Sequence, residues 1–103
     1  MDNNFKAYNE AANILKALAH PVRLCIVIGL LDQGCCNVTY IRECLNLPQS
    51  TVSQHLQKLR SMGIVETNRN GLEILYSLEN EKIKKLIQIF FQDVAAKVAV
   101  KEE

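Results

Sequence analysis

Tryptophan is absent from this 103-residue sequence, and histidine (two), proline (two) and glycine (four) are scarce. His20 and His55 are the only imidazoles, no glycine-rich phosphate loop occurs, and no residue pair joins a nucleophile to a base. Nothing therefore supports an enzyme, and no cofactor is expected. The longest unbroken apolar run, Leu24 to Leu31, has eight residues, far short of the ~20 a membrane helix needs. No signal-peptide pattern opens the chain, so the expectation is a cytoplasmic protein, away from membranes, with its four cysteines reduced. Neither sign of charge dominates: twelve Lys and Arg face eleven Asp and Glu, a net of +1. A diffuse cationic attraction to nucleic acid is excluded, and any such binding has to come from a local patch.

What is present is an ordinary globular composition, 49% apolar and 22% charged, expected to form a single domain over residues 1–103. A chain this short can bury a core but leaves little room for an enclosed site, and pairing with a second copy is a natural remedy. The modest basic excess falls in the middle third, where Arg42, Lys58, Arg60 and Arg69 outnumber Glu43 and Glu66.

Phe5, Tyr8, Ala12, Leu15 and Leu18 recur at steps of three and four and predict an amphipathic helix. It should stop near Ala19, because Pro21 disfavours helical geometry at His20. Pro21 suits the first turn of a second, apolar and central helix over about 21–33, in which Cys25 is expected as a small core residue. Asn37 is a credible N-cap for a short third helix over about 38–45, with Cys44 also structural. Asn46 and Leu47 make a tight turn, and Pro48 opens a fourth helix that closes at Gly63. The period then drops to two. Ile64 to Thr67 and Leu72 to Leu78 predict a hairpin turning at Asn70-Gly71, both with positive φ. From Asn80 the helical period returns through Ile83, Ile87, Phe90, Val94 and Val98. The expected class is mainly α (α+β), in the order α1-α2-α3-α4-β1-β2-α5.

Two short helices joined by a tight turn (about 38–62) and followed by a hairpin (about 64–78) describe a winged helix-turn-helix, whose second helix commonly enters a DNA major groove. On a wheel of about 100° per residue, Val52, Leu56 and Leu59 form one buried stripe. The opposite side centres on Ser50, Gln54 and Gln57, flanked by Thr51, Ser53 and Lys58, with Gln49 and Arg60 at the ends. No acidic residue lies between Pro48 and Gly63. Amides and hydroxyls can read base edges, and Lys58 and Arg60 can meet phosphates. A merely solvated helix would more commonly mix Glu with Lys. His55, about 60° from the buried stripe, either touches DNA or packs against the third helix. Arg69, near the hairpin tip, suits a minor-groove or phosphate contact. A winged helix used only for protein contacts is the rival from another class.

Leu18-Ala19-His20-Pro21-Val22-Arg23-Leu24, the run from Leu47 through Pro48, Gln49 and Ser50 to Arg60, and Gly63-Ile64-Val65 with its hairpin resemble the ArsR/SmtB family of bacterial winged-helix repressors. The resemblance covers about residues 10–90, and the Leu47 to Leu56 run with the Asn-Gly-Leu-Glu wing is similar to its PagR-like branch. It implies a homodimer through the first and last helices, binding a palindromic double-stranded DNA operator and blocking transcription. Phe5, Tyr8, Ile83, Ile87, Phe90, Phe91 and Val94 are the candidate interface.

Metal-sensing members of the family use Cys-x-Cys at the start of the third helix, or Asp and His at the start of the last helix with His and Glu further on. Asn37 and Thr39 stand at the first positions and Asn80 and Lys82 at the second, and no histidine follows. No metal is therefore expected. Cys35 and Cys36, in a loop beside the helix-turn-helix, are the candidate redox thiols, with an ordinary structural role as the alternative.

Overall fold

The computed structural model describes the backbone of residues 3–101 and the side chains of residues 3–92. Five helices and three short strands follow in the order α1 (Phe5–Leu18), α2 (Pro21–Gln33), β1 (Cys35–Cys36), α3 (Val38–Leu45), α4 (Gln49–Ser61), β2 (Glu66–Asn70), β3 (Glu73–Ser77) and α5 (Glu81–Lys101). Helix boundaries follow local chemistry. His20, forced out of helical geometry by Pro21, is extended at φ −150° and ψ 129°, and its Nδ1 accepts from the Val22 amide at 3.1 Å. The chain bends by 89° there, so α2 leaves α1 almost at a right angle. Gly34 ends α2 with φ +89°, in the region open to glycine. Asn37 Oδ1 caps α3 through the Tyr40 amide at 2.8 Å, and Asn80 Oδ1 caps α5 through the Lys82 and Ile83 amides. Each such cap is worth about 1 kcal/mol. Asn46, left-handed at φ 55°, makes the turn between α3 and α4. Pro48 stands just outside α4 as its N-cap instead of within its first turn.

Among the described residues, fifteen form one continuous buried cluster, with Ala17, Val27, Val52, Leu56 and Leu59 fully enclosed at 0% exposure. Every helix contributes, α5 through Ile83 and Ile87, so the core sits where α1, α2, α4 and the start of α5 cross. Only Ile26, Val27 and Leu30 of α2 are fully buried, while Leu24, Ile28 and Leu31 are half-buried on its other side. Cys25 is exposed, not a core residue. It lies one helical step off the Ile26 stripe, over the gap between α2 and α3, where no side chain covers it.

The sheet departs from the expected hairpin in two ways. Cys35 and Cys36 are not in a loop: they form β1, pairing antiparallel with Ser77 and Tyr76, which gives a three-stranded sheet in the order β1-β3-β2. Successive strand residues face opposite sides, so Cys35 is exposed and Cys36 buried. The turn also slips by one residue. Asn70 pairs with Glu73 in the ladder, leaving Gly71 and Leu72 as the loop, and Gly71 alone has positive φ, +68°. A glycine first and an ordinary residue second is the II′ pattern of two-residue hairpins. Leu72 is consequently fully solvent-exposed at the tip, and Ile64 and Val65 precede the strand as core residues. α5 is kinked at Phe91, whose φ of −113° and ψ of 15° leave the helical range.

Candidate nucleic-acid interface

Burial of Val52, Leu56 and Leu59 sets the rotation of α4, and the rotation sets what it offers to solvent. Gln49, Ser50, Ser53, Gln54, Gln57, Lys58 and Arg60 are exposed, and Thr51 is half-buried at the edge of the stripe. The face carries side-chain amides, hydroxyls and two cations, with no carboxylate on the helix. Lys58 and Arg60 lie in the last turn, where positive charge also suits the carbonyl end of the helix dipole. The helix begins without a side-chain cap, so its first amide groups are left facing outward.

Arg69 is exposed on β2 opposite Ile74, one pair below the hairpin tip. One side-chain hydrogen bond ties the wing to the helix-turn-helix: the Asn37 amide nitrogen donates to Glu73 Oε1, linking the start of α3 to β3. Between them lies an open concavity of about 530 Å3 lined by Asn37, Thr39, Asn70, Glu73, Ile74 and Tyr76. Nothing in the sequence pattern pointed to this link, because the two residues meet only once β1 has paired with β3.

His55 has a place other than the third helix. Its ring packs on that of His20 with centroids 4.6 Å apart and planes tilted by 49°, joining α4 to the N-cap of α2. Burial first, and then the neighbouring His20 and Arg23, hold the His55 imidazole below its ordinary pKa of 6.5. Arg23 is itself anchored through Nε to the Ala17 carbonyl at 2.5 Å, so it tethers α2 to the end of α1.

Among the described residues, no three His, Cys, Asp or Glu side chains gather where they could hold a metal ion. Asn37 and Asn80 serve as helix caps through their side-chain oxygens. Nor is any single helix among the described residues long and apolar enough to cross a membrane.

The expected dimer surface is rearranged. Ile83 and Ile87 belong to the chain's own core, at 5% and 2% exposure, whereas Phe5 (66%), Tyr8 (48%) and Phe90 (69%) are open, together with Leu15 and Ile89. α5 turns its Ile83 and Ile87 side inward, a choice that helical periodicity alone leaves undetermined. Phe91 is half-buried against the core, and the side chain of Val94 lies outside the described residues. Leu15, Leu18, Leu24, Leu86, Phe90 and Phe91 line an apolar cavity of about 260 Å3 between α1, α2 and α5.

A family model described as bacterial regulatory protein, arsR family, matches residues 20–67. The transcriptional repressor PagR of Bacillus anthracis is 46% identical over 85 residues, 82% of this chain and 85% of that protein. Its crystal structure superposes with a TM-score of 0.77 over 84% of this chain and 99% of that one, at 45% identity. The biofilm growth-associated repressor of Xylella fastidiosa is 42% identical over 84% of this chain and 75% of its own length. A homodimeric winged helix-turn-helix DNA-binding domain of Mycobacterium bovis has a TM-score of 0.78 at 33% identity, covering 94% of this chain and 88% of that one.

The burial of His55, with His20 and Arg23 beside it, makes stability depend on pH. A histidine held below 6.5 in the fold takes up a proton more readily in the unfolded chain. Acidification through that range therefore favours unfolding, and nothing is lost above it. Urea midpoints measured from pH 8 down to 5.5 should fall on the acid side, and His55→Gln should flatten that limb. An equally steep limb in His55→Gln would assign the loss to other groups.

Proposed function

The chain belongs to the arsR family of bacterial regulatory proteins, DNA-binding transcriptional repressors and not enzymes; on that premise we propose that it acts as a metal-independent homodimer on a palindromic operator, with α4 in the major groove. The observation that carries this reading is the acid-free outward face of α4, rigidly oriented by its own buried stripe. Gln54 and Gln57, at its centre, carry amides that can pair bidentately with adenine edges, and Ser50, Thr51 and Ser53 add hydroxyls. Gln49 and His55 flank these contacts. Lys58, Arg60 and, from the wing, Arg69 meet phosphates, which fix register without reading sequence. Regulation without a metal is supported by Asn37 and Asn80, whose side chains are committed to capping helices, and by the lack of any three-ligand cluster among the described residues.

Dimerisation through α1 and α5 is supported by the open Phe5, Tyr8, Leu15, Ile89 and Phe90 side chains, more apolar surface than an isolated small domain ordinarily leaves in water. Phe5 and Tyr8 already pack edge to face at 6.0 Å and present a preformed aromatic ledge. A second copy related by twofold symmetry can place the two α4 helices in successive major-groove turns on one face of the duplex, matching a palindrome. The M. bovis domain of the same fold is homodimeric.

Two substitutions separate sequence reading from charge. With duplexes selected from a random pool, Gln54→Ala should relax the preferred site, at a cost of about 1–3 kcal/mol in discrimination. Lys58→Ala should weaken all duplexes alike and lower the salt slope by about one. If both variants bind as the parent does, α4 is not the reading helix. Phe90→Asp should convert the protein to a monomer by sedimentation and abolish operator binding. A Phe90→Asp protein that is still dimeric places the interface elsewhere.

A further inference from the structure

Three of the four cysteines line one cavity. About 150 Å3 of space lies between α2, β1 and α3, walled by Ile26, Leu30, Ile41 and Leu45, with Cys25, Cys36 and Cys44 distributed around it. An apolar cavity of about that size holds a benzene-sized molecule. Its lining carries no Asp, Glu, Lys, Arg or His, and its polar groups are the Tyr40 phenol and the Gln33 amide. The sulfurs surround this space and do not converge as metal ligands, since no such group occurs among the described residues. Tyr40 stands one turn before Cys44, so phenol and sulfur share a face of α3 and line the same cavity, and the nearness of Cys44 pushes the phenol above its usual pKa. Cys36 differs: it is buried, and burial first, then the neighbouring Cys35 and Cys44, push its thiol up. Of the two exposed thiols at the cavity, Cys25 and Cys44, Cys44 is the one with a hydroxyl, that of Tyr40, one turn away on its own helix face, a donor placed to stabilise a thiolate.

We propose that this cavity is a covalent modification site for small, uncharged α,β-unsaturated carbonyl compounds, with the Cys44 sulfur as nucleophile and the Tyr40 hydroxyl as the donor that positions it. Cys44 releases its proton to solvent, and the thiolate attacks the β-carbon of the ligand. A C–S bond forms while the C=C π pair moves through the carbonyl carbon onto its oxygen. The resulting enolate then takes a proton from water at the α-carbon and returns to the ketone. Thiol and alkene combine with no leaving group and no net oxidation, so no oxidant is required.

Both walls of the cavity connect to DNA-facing elements. α3 packs on α4, and β1 pairs with β3 of the wing through Cys36 and Tyr76. An adduct wedged between α2 and α3 shifts α4 and the wing relative to the core and releases DNA, an outcome that rests on the reading of α4 given above.

The test uses the full chain and cyclohex-2-enone, followed by intact mass, peptide mapping and binding to a pool-selected duplex. The expected result is one adduct per chain, at Cys44, formed about tenfold more slowly in Tyr40→Phe, the loss expected for one charge-assisted hydrogen bond. Cys44→Ser should take no adduct and Cys35→Ser should react at the parental rate. Acrylate, which is anionic, should react more slowly than cyclohex-2-enone once each rate is divided by that with free cysteine. The adduct should bind the duplex at least about tenfold more weakly, a change of about 1.4 kcal/mol. Labelling spread over Cys25 and Cys35, or an unchanged rate in Tyr40→Phe, overturns the site. Undiminished duplex binding by the Cys44 adduct overturns its regulatory role. Unmodified protein that binds no duplex sinks the DNA-reading assignment instead, and the mass measurement still decides the site.

Discussion

On the reading of α4 proposed above, contact with DNA depends on the burial of three side chains, Val52, Leu56 and Leu59, in the common core. They occupy one stripe of α4, and a helix pinned along one stripe has no freedom to rotate about its axis. Gln54 and Gln57 are outward because those three are inward. Slipping α4 by one residue would turn its stripe by about 100°, expose apolar surface and bury an amide without a partner, a cost of several kcal/mol. The reading face is thus specified by the core, and its precision is the precision of the packing behind it.

The other elements work through that helix. α3 holds its entry angle, with Asn37 capping α3 and bonding Glu73 so that helix pair and wing move as one body. His20 terminates one helical regime, starts another and stacks on His55, so the same residue shapes α2 and braces α4. The half-buried side of α2 and the open side of α5 leave apolar surface that a second copy can cover. In the proposed dimer two α4 helices stand at a fixed separation, and the apolar surface left unburied by one copy is what would join them.

Local signals were legible where their cause is local. Pro21, Gly34, Asn37, Asn46 and Gly63 mark helix ends through their own backbone chemistry, and α2, α3 and the buried stripe of α4 appear where those marks and the apolar period put them. Misreadings arise where the deciding partner is distant in sequence. β1 exists only because Ser77 and Tyr76 pair with Cys35 and Cys36, and no two-residue strand announces itself. The Asn-Gly signal located the turn, but the Asn70–Glu73 ladder pair moved it one residue on. Periodicity placed Ile83, Ile87 and Phe90 on α5 without saying which of them meet the chain's own core. Cys25 looked interior because α2 is apolar almost all round, yet its particular step faces the space beside α3. The outward chemistry of α4 was readable in advance because it follows from a single helical phase.

The most direct measurement is a map of backbone amide chemical shifts in the labelled protein, taken with and without a duplex selected from a random pool. The largest changes should cluster on residues 49–60 and on the hairpin tip around 68–71, and should persist when a competing duplex of unrelated sequence is added. Changes confined to α1 and α5, or to any surface from which α4 is absent, would contradict the assignment of α4 as the helix that reads DNA.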